Sequence, residues 1–307
     1  MSGSSFIDIE CDELNNSFSS LSANVDYGQS NELNIVCNKI QTDGRDGFGL
    51  TIRRNANVNL TTRDYISGTH KVIQFREYAG KSVINTPKLI LNEGNFLGGN
   101  FKQALQFDTT PGTGTGEVIL NGDIVIDDPV NYGGITSAVR FWESPITNVI
   151  INGNITGGVI PAVVLSNGTN TLTINGDLSS ESNLISLSVN NKLNIKNSTI
   201  IRNASGNTGS PIIISGSGML YINNSTYYSD TIEDMISITS NTAKLFINNL
   251  LAEGLDDVGS GFLINGNSNT PDVGIINVVS NRDIDPNLTT QYTIGLISEE
   301  NLNVPKF

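Results

Sequence analysis

Residues 149–176 read VIINGNITGGVIPAVVLSNGTNTLTING, and this stretch decides how the rest of the chain is read. It opens on apolar-x-apolar followed by Asn (VIIN, 149–152) and passes a second apolar triplet (VVL, 163–165). It closes on a new copy of the first motif (LTIN, 172–175). Both Asn-ended copies run directly into Gly, at 152–153 and 175–176. In a strand the first and third residues of a triplet face one way and the middle residue the other. Asn and Gly tolerate the left-handed backbone that a tight corner demands, and stacked Asn side chains can hydrogen-bond up a ladder. Short strands joined at Asn corners account for the whole stretch.

The motif, with Asn or a substitute in its last place, recurs as LNIV (33–36), VNLT (58–61), LILN (89–92), VILN (118–121), LNIK (193–196), LYIN (220–223), LFIN (245–248) and GIIN (274–277). Successive copies start 21 to 31 residues apart. An intervening series lies between them: IQF (73–75), LQF (105–107), VRF (139–141), VVL (163–165), ISL (185–187), III (212–214), ISI (236–238) and FLI (262–264). A third strand per coil is supplied by pieces such as Ile124–Ile126 or Thr199–Ile201. Repeats of this length mean a solenoid, and the helix-forming half of a leucine-rich repeat is missing. The expectation is an all-β, single-domain parallel β-helix of about ten coils, spaced about 4.8 Å apart in a rod roughly 50 Å long. Leu89, Leu91, Val118, Leu120, Val149, Ile151, Leu172 and Ile174 are expected inward.

The ends differ. Residues 1–32 are expected to form an N-terminal cap or attachment segment, with Phe6, Phe18 and Leu21 covering the first coil, and residues 283–307 a C-terminal cap or arm. Residues 33–282 form the helix between them, since a bare solenoid end exposes core and strand edges. Spacing also differs: Phe75 to Leu91 and Phe107 to Leu120 are longer steps than Leu187 to Ile195, so decorated loops are expected in the first half.

Composition narrows the function. The 307 residues are 37% hydrophobic and 15% charged, which argues against disorder. Net charge is −13 with a pI near 4.4, and the longest basic cluster is Arg53-Arg54. Neither nucleic acid nor an anionic membrane is an expected partner, because both require a basic surface. No apolar run approaches a bilayer-spanning length. The first residues, MSGSSFIDIECDE, are acidic and lack the layout of a signal peptide, pointing to synthesis in a host cytoplasm. Cys11 and Cys37 are too few for a disulfide framework and are expected free. With His70 the single histidine, neither a zinc site nor a Ser-His-Asp triad is expected, and no metal or cofactor is implied. Sequons such as those at Asn154 and Asn197 arise by chance in so Asn- and Thr-rich a chain.

On these Asn-cornered coils, over about residues 33–280, the chain resembles the pectin-lyase-like right-handed parallel β-helix superfamily. Within it, the chain looks like bacteriophage tail spikes, fibres and other virion β-helices. The resemblance implies a virion structural protein of the tail-spike, fibre or capsid-decoration kind that mediates assembly and host-glycan attachment. Polysaccharide-degrading spikes and cellular adhesins are the alternatives. The enzymatic members carry motifs that this chain lacks. Gly68-Thr69-His70-Lys71 is a poor match to Gly-His-Gly, Asp127-Asp128 and Asp256-Asp257 lie far apart in coil number, and Arg-Ile-Lys and Asn-Thr-Asp are absent. Fold does not imply function, so the expectation is a non-enzymatic protein.

Outward positions carry the site expectations. On the intervening-series face they read Gln74 and Arg76, then Gln106 and Asp108, then Arg140 and Trp142, before turning bland at Val164, Ser186, Ile213 and Ser237. Amides, a guanidinium and the one indole of the chain on adjacent coils suit an exposed glycan- or partner-binding ladder. Asp108 is its one outward acid, with Glu77 and Glu143 at the strand ends. On the Asn-series face the outward column reads Ile90, Ile119, Ile150, Thr173, Asn194, Tyr221, Phe246, Ile275. A solvated strand should turn polar there, so Tyr221, Phe246 and Ile275 are expected at a homo-oligomer interface, a trimer above all, or against another virion protein.

Overall fold

The computed structural model describes residues 6–16, 21–25, 31–42, 49–92, 102–108, 115–127, 137–142, 147–203, 209–254, 261–267, 269–288 and 292–298. Regular structure among them is β-strand, paired in parallel, and the strands stack into a β-solenoid. A ten-stranded sheet, running from Leu21–Val25 through Gln103–Asp108 to Ile264–Asn265, holds the intervening series. A fifteen-stranded sheet holds the Asn series and, past the Asn corner, the third strands. In early and late coils one strand bends through that corner and serves both faces, as Gly116–Asp127 and Met219–Ser229 do. In the middle coils the corner splits it, as between Thr171–Ile174 and Leu178–Ser180.

Alternation sets the core. Val118, Val149, Leu172, Leu193 and Leu220 stack in register on the Asn-series face, with Leu120, Ile151, Ile174, Ile195 and Ile222 in the row two residues on. All are at most 1% exposed, and each such side chain gains about 1.5–3 kcal/mol on burial. The intervening-series face contributes Phe75, Phe107 and Phe141, stacked with ring centroids 5.1 and 4.3 Å apart. Where Tyr227 enters the third-face row above Ile200, its buried hydroxyl donates to the Met235 carbonyl at 2.9 Å, which satisfies that polar atom.

Two kinds of corner hold the coils in register. In the first, Asn121, Asn152 and Asn175 each donate Nδ2 to the Oδ1 of the Asn one coil back, at 2.7, 2.8 and 2.8 Å, beginning at Asn85. The following glycines are needed for close approach: a Cβ on Gly153 would lie 2.1 Å from the Gly122 carbonyl oxygen. In the second, Asn197, Asn224, Asn249 and Asn277 adopt left-handed backbone, with φ of 53°, 50°, 55° and 51°. Their side chains form a ladder of their own at 3.4, 2.8 and 2.9 Å. Among the corner Asn residues the left-handed backbone is therefore confined to the later ones, while in the first kind of corner Gly122 takes a positive φ of 149°. A carbonyl or carboxylate oxygen also spans adjacent coils where Asp123, Asn154 and Asp177 accept from the backbone N–H of Asn154, Asp177 and Thr199.

Three parts of the expected register are corrected. Leu89 and Leu91 are buried as expected, but they stack on Ile124 and Ile126 of the third face. The Asn-series position of that coil is taken by Ser82–Asn85, whose Ser82 interrupts the apolar pattern, and Ile90 consequently faces out beside Val125. Ile275 is an inward residue, 0% exposed and paired with Ile247, while Gly274 lies opposite Phe246. The cause is the doubled Asn corner: Ile276 pairs with Asn248, and Asn277 takes the left-handed place of Asn249, so aligning Asn277 with Asn248 shifts the strand by one. In the last intervening copy Ile264, not Phe262, pairs with Ile236.

The strand ladder also runs past both expected boundaries. Phe6–Asn16 pairs in register with Asn31–Thr42, and Tyr292–Ser298 pairs with Asp272–Ser280. Phe6 is 61% exposed and covers no core. Phe18, the side chain of Leu21 and residues 299–307 lie outside the described residues, as do residues 93–101, 109–114, 128–136 and 143–146, where the decorated loops were expected.

Candidate functional site

The expected ladder forms on the intervening-series face. Gln74, Gln106 and Arg140 are consecutive rungs, and Arg76, Asp108 and Trp142 are the rungs two residues further along the same three strands. The fold brings all six together because the stacked Phe75, Phe107 and Phe141 between them lock the three strands in register. The expected exposure is corrected. Gln74, Gln106 and Arg140 are 2%, 5% and 1% exposed, whereas Arg76, Asp108 and Trp142 are half-buried. Alternation gives the direction of an outward residue, but whether other parts of the chain cover that face is not written in the strand itself.

Within the ladder, Gln74 donates Nε2 to Asp108 Oδ2 at 3.0 Å. The Arg140 guanidinium carbon lies 4.1 Å from the centroid of the Trp142 ring, a cation–π contact that fixes the indole over the charge. These two residues, with Lys71, Gln106 and Asp108, line a cavity of about 170 Å³. Burial pulls the Arg140 pKa down to about 10, against the neighbouring Asp108 carboxylate, which supports its charge. Burial likewise lowers Lys71, again opposed by Asp108. The Gln106 Oε1 is buried with no hydrogen-bond partner among the described residues. Such an acceptor asks for an O–H or N–H donor from whatever fills the cavity. Lys71 was missed from sequence because it stands two residues before the IQF triplet. The signal that would have found it is a second cation flanking a strand already rich in outward polar groups.

Chemically, the cavity offers cationic donors, an amide acceptor, one carboxylate and an aromatic face. Among the described residues no group of three or more His, Cys, Asp and Glu is placed to hold a metal ion.

The second expected surface is present in part. Tyr221 and Phe246 are adjacent in register on the outward Asn-series column, half-buried, with rings stacked 5.1 Å apart at 22°. The Lys192 Nζ lies 4.6 Å from the Tyr221 centroid. Ile119, Ile150, Thr173 and Asn194 precede them in the same column. Ile275 does not belong to it.

Set beside protein-family models, curated proteins and solved structures, the chain matches none. The fold therefore defines its class, a parallel β-solenoid with a polar cavity built across three coils of one face.

Proposed function

We propose that this protein is a non-enzymatic virion structural component, a rigid oligomeric rod that attaches to a surface glycan through the cavity of Lys71, Gln106, Asp108, Arg140 and Trp142. One observation carries the reading: a buried amide oxygen without a partner among the described residues, a guanidinium and an indole converge on one cavity of about 170 Å³. A sugar hydroxyl donates to Gln106 and accepts from Arg140, and the sugar's apolar face stacks on the indole. Hydrolysis of a glycoside by the usual route needs two carboxyl groups across the scissile bond. Among the described residues Asp108 is the one carboxylate lining the cavity. The virion setting rests on the resemblance of the Asn-cornered coils to virion β-helices. Oligomerisation rests on the outward Tyr221–Phe246 pair.

A panel of purified bacterial surface polysaccharides, presented to the full chain, tests the reading. Saturable binding without release of reducing ends or unsaturated products supports it, and progressive depolymerisation of the bound polymer overturns it in favour of an enzymatic spike. For assembly, Phe246→Asp should leave the fold intact and reduce the mass seen by light scattering, because an unpaired carboxylate is costly to bury. A monodisperse wild-type monomer would remove the oligomer from the proposal.

A further inference from the structure

The first coil carries a feature that the cavity does not use. Phe6–Asn16 is the outermost strand on its side of the sheet and pairs, among the described residues, only with Asn31–Thr42. Its inward row is incompletely covered: Ile7 is 52% exposed, and Ile9, Cys11 and Leu14 are only partly buried against the core. The coil is held by side-chain bonds to the next one, with Asn34 donating to Asp8 at 3.0 Å, Asn38 to Asp12 at 3.3 Å and Lys39 paired with Glu13 at 3.1 Å. These are exposed contacts of small individual worth. In the middle of that row Cys11 lies directly opposite Cys37 in parallel register, and both thiols are free. Adjacent strands stand about 4.8 Å apart, inside the Cα separation of about 4.4–6.8 Å that a disulfide spans.

We infer that Cys11 and Cys37 form a redox staple, an oxidisable dithiol that locks the terminal coil to the stack when it meets a small-molecule disulfide. A groove of about 630 Å³ runs beside the pair, with Glu10, Asp12, Asn38 and Arg63 among its lining residues. The roles of the two thiols differ. Cys37 is 5% exposed and its pKa is pushed up to about 11, by burial first and by Cys11 second, so it stays protonated at neutral pH. Cys11, the more accessible thiol, makes the first attack as its thiolate: a Cys11–glutathione bond forms and one glutathione thiolate leaves. Cys37 then loses its proton to solvent and attacks the Cys11 sulfur. The Cys11–Cys37 bond forms and the second glutathione thiolate departs. The two cysteines give up two electrons and two protons, and the oxidant takes both electrons. Glu10, Asp12 and Arg63 are the charged groups beside the pair; because burial and Cys11 hold the Cys37 thiol protonated, closure is the slow step and accelerates as pH rises toward 11.

The test uses the full chain. It is incubated with oxidised glutathione, trapped with an alkylating agent and mapped by peptide mass. The expected product is a Cys11–Cys37 cross-link in the monomeric subunit. Amide exchange across Phe6–Asn16 should slow by about tenfold or more once the coil is locked. Cys37→Ser should stop at a stable glutathione adduct on Cys11. A wild-type chain that also stops at the adduct, or links between two subunits, or leaves both thiols untouched until it is unfolded, overturns the inference. None of these outcomes depends on glycan binding.

Discussion

The intervening-series face is two different surfaces on one scaffold. Over the strands Lys71–Arg76, Gln103–Asp108 and Ser137–Trp142 its outward rungs are Gln74, Gln106 and Arg140, all buried, with half-buried Arg76, Asp108 and Trp142 beside them. Over Val163–Leu165, Ile185–Leu187, Ile212–Ile214 and Ile236–Ile238 the same positions hold Val164, Ser186, Ile213 and Ser237. Inward, the two regions are alike, with Phe141 paired to Leu165 and every inward residue at most 1% exposed. The difference teaches that inward rows and corners make the solenoid, whereas the outward rungs are free to take on chemistry. Only the first region has taken it on.

The largest expected effect tests that division directly. Phe107→Ala in the polar region and Leu187→Ala in the plain region should both destabilise strongly, by about 3–5 and 2–5 kcal/mol. Chemical denaturation measures both. If Phe107→Ala lost under about 1 kcal/mol, the aromatic row would not be the element that holds the site's strands in register. Next comes alternation itself: Ile174→Ala should cost about 2–5 kcal/mol, while its outward neighbour Thr173→Ala should stay within about 0.5 kcal/mol. Equal losses at the two positions would break the inward–outward division.

The alternation was legible in the sequence because inward Ile and Leu recur with period two, and the copies from Val118 to Ile247 land where the pattern puts them. It failed where chemistry imitated the motif. Asn85 and Asn92 both end an apolar run in one coil, and the doubled corner at Asn248-Asn249 made Asn277 look like the first corner residue. The six ladder residues were legible as neighbours, since register follows from stacking. Their burial was not, because it depends on what lies over the face, and Lys71 was hidden by standing outside the triplet.

The corners offer a smaller test between regions. Gly153→Ala sets a Cβ against the Gly122 carbonyl and should cost more than about 1 kcal/mol, since the backbone of the adjacent coil has to move. Asn224→Gly keeps the left-handed backbone accessible and loses two exposed side-chain bonds, one to Asn197 and one from Asn249, so it should cost under about 1 kcal/mol. Thermal melts of the two variants should therefore separate. Coincident melts would mean that the two corner types share one mechanism.

The smallest effect bears on what the polar region is for. Trp142 is half-buried, and the Arg140 guanidinium lies beneath its ring. Such a contact is worth about 0.5–1 kcal/mol at a partly exposed site, so Trp142→Ala should shift the melting temperature only slightly. Removing the indole also removes the apolar plate of the cavity, and glycan affinity should fall by about 1 kcal/mol, roughly fivefold. Trp142→Phe, which keeps a ring, should recover part of the affinity, whereas Ser186→Ala in the plain region should change neither quantity. Calorimetric melts alongside titration with the bound polysaccharide separate the two readouts. A large loss of melting temperature with unchanged affinity would make the indole a packing element, and the outward rungs of the first region would then serve stability, as the inward ones do.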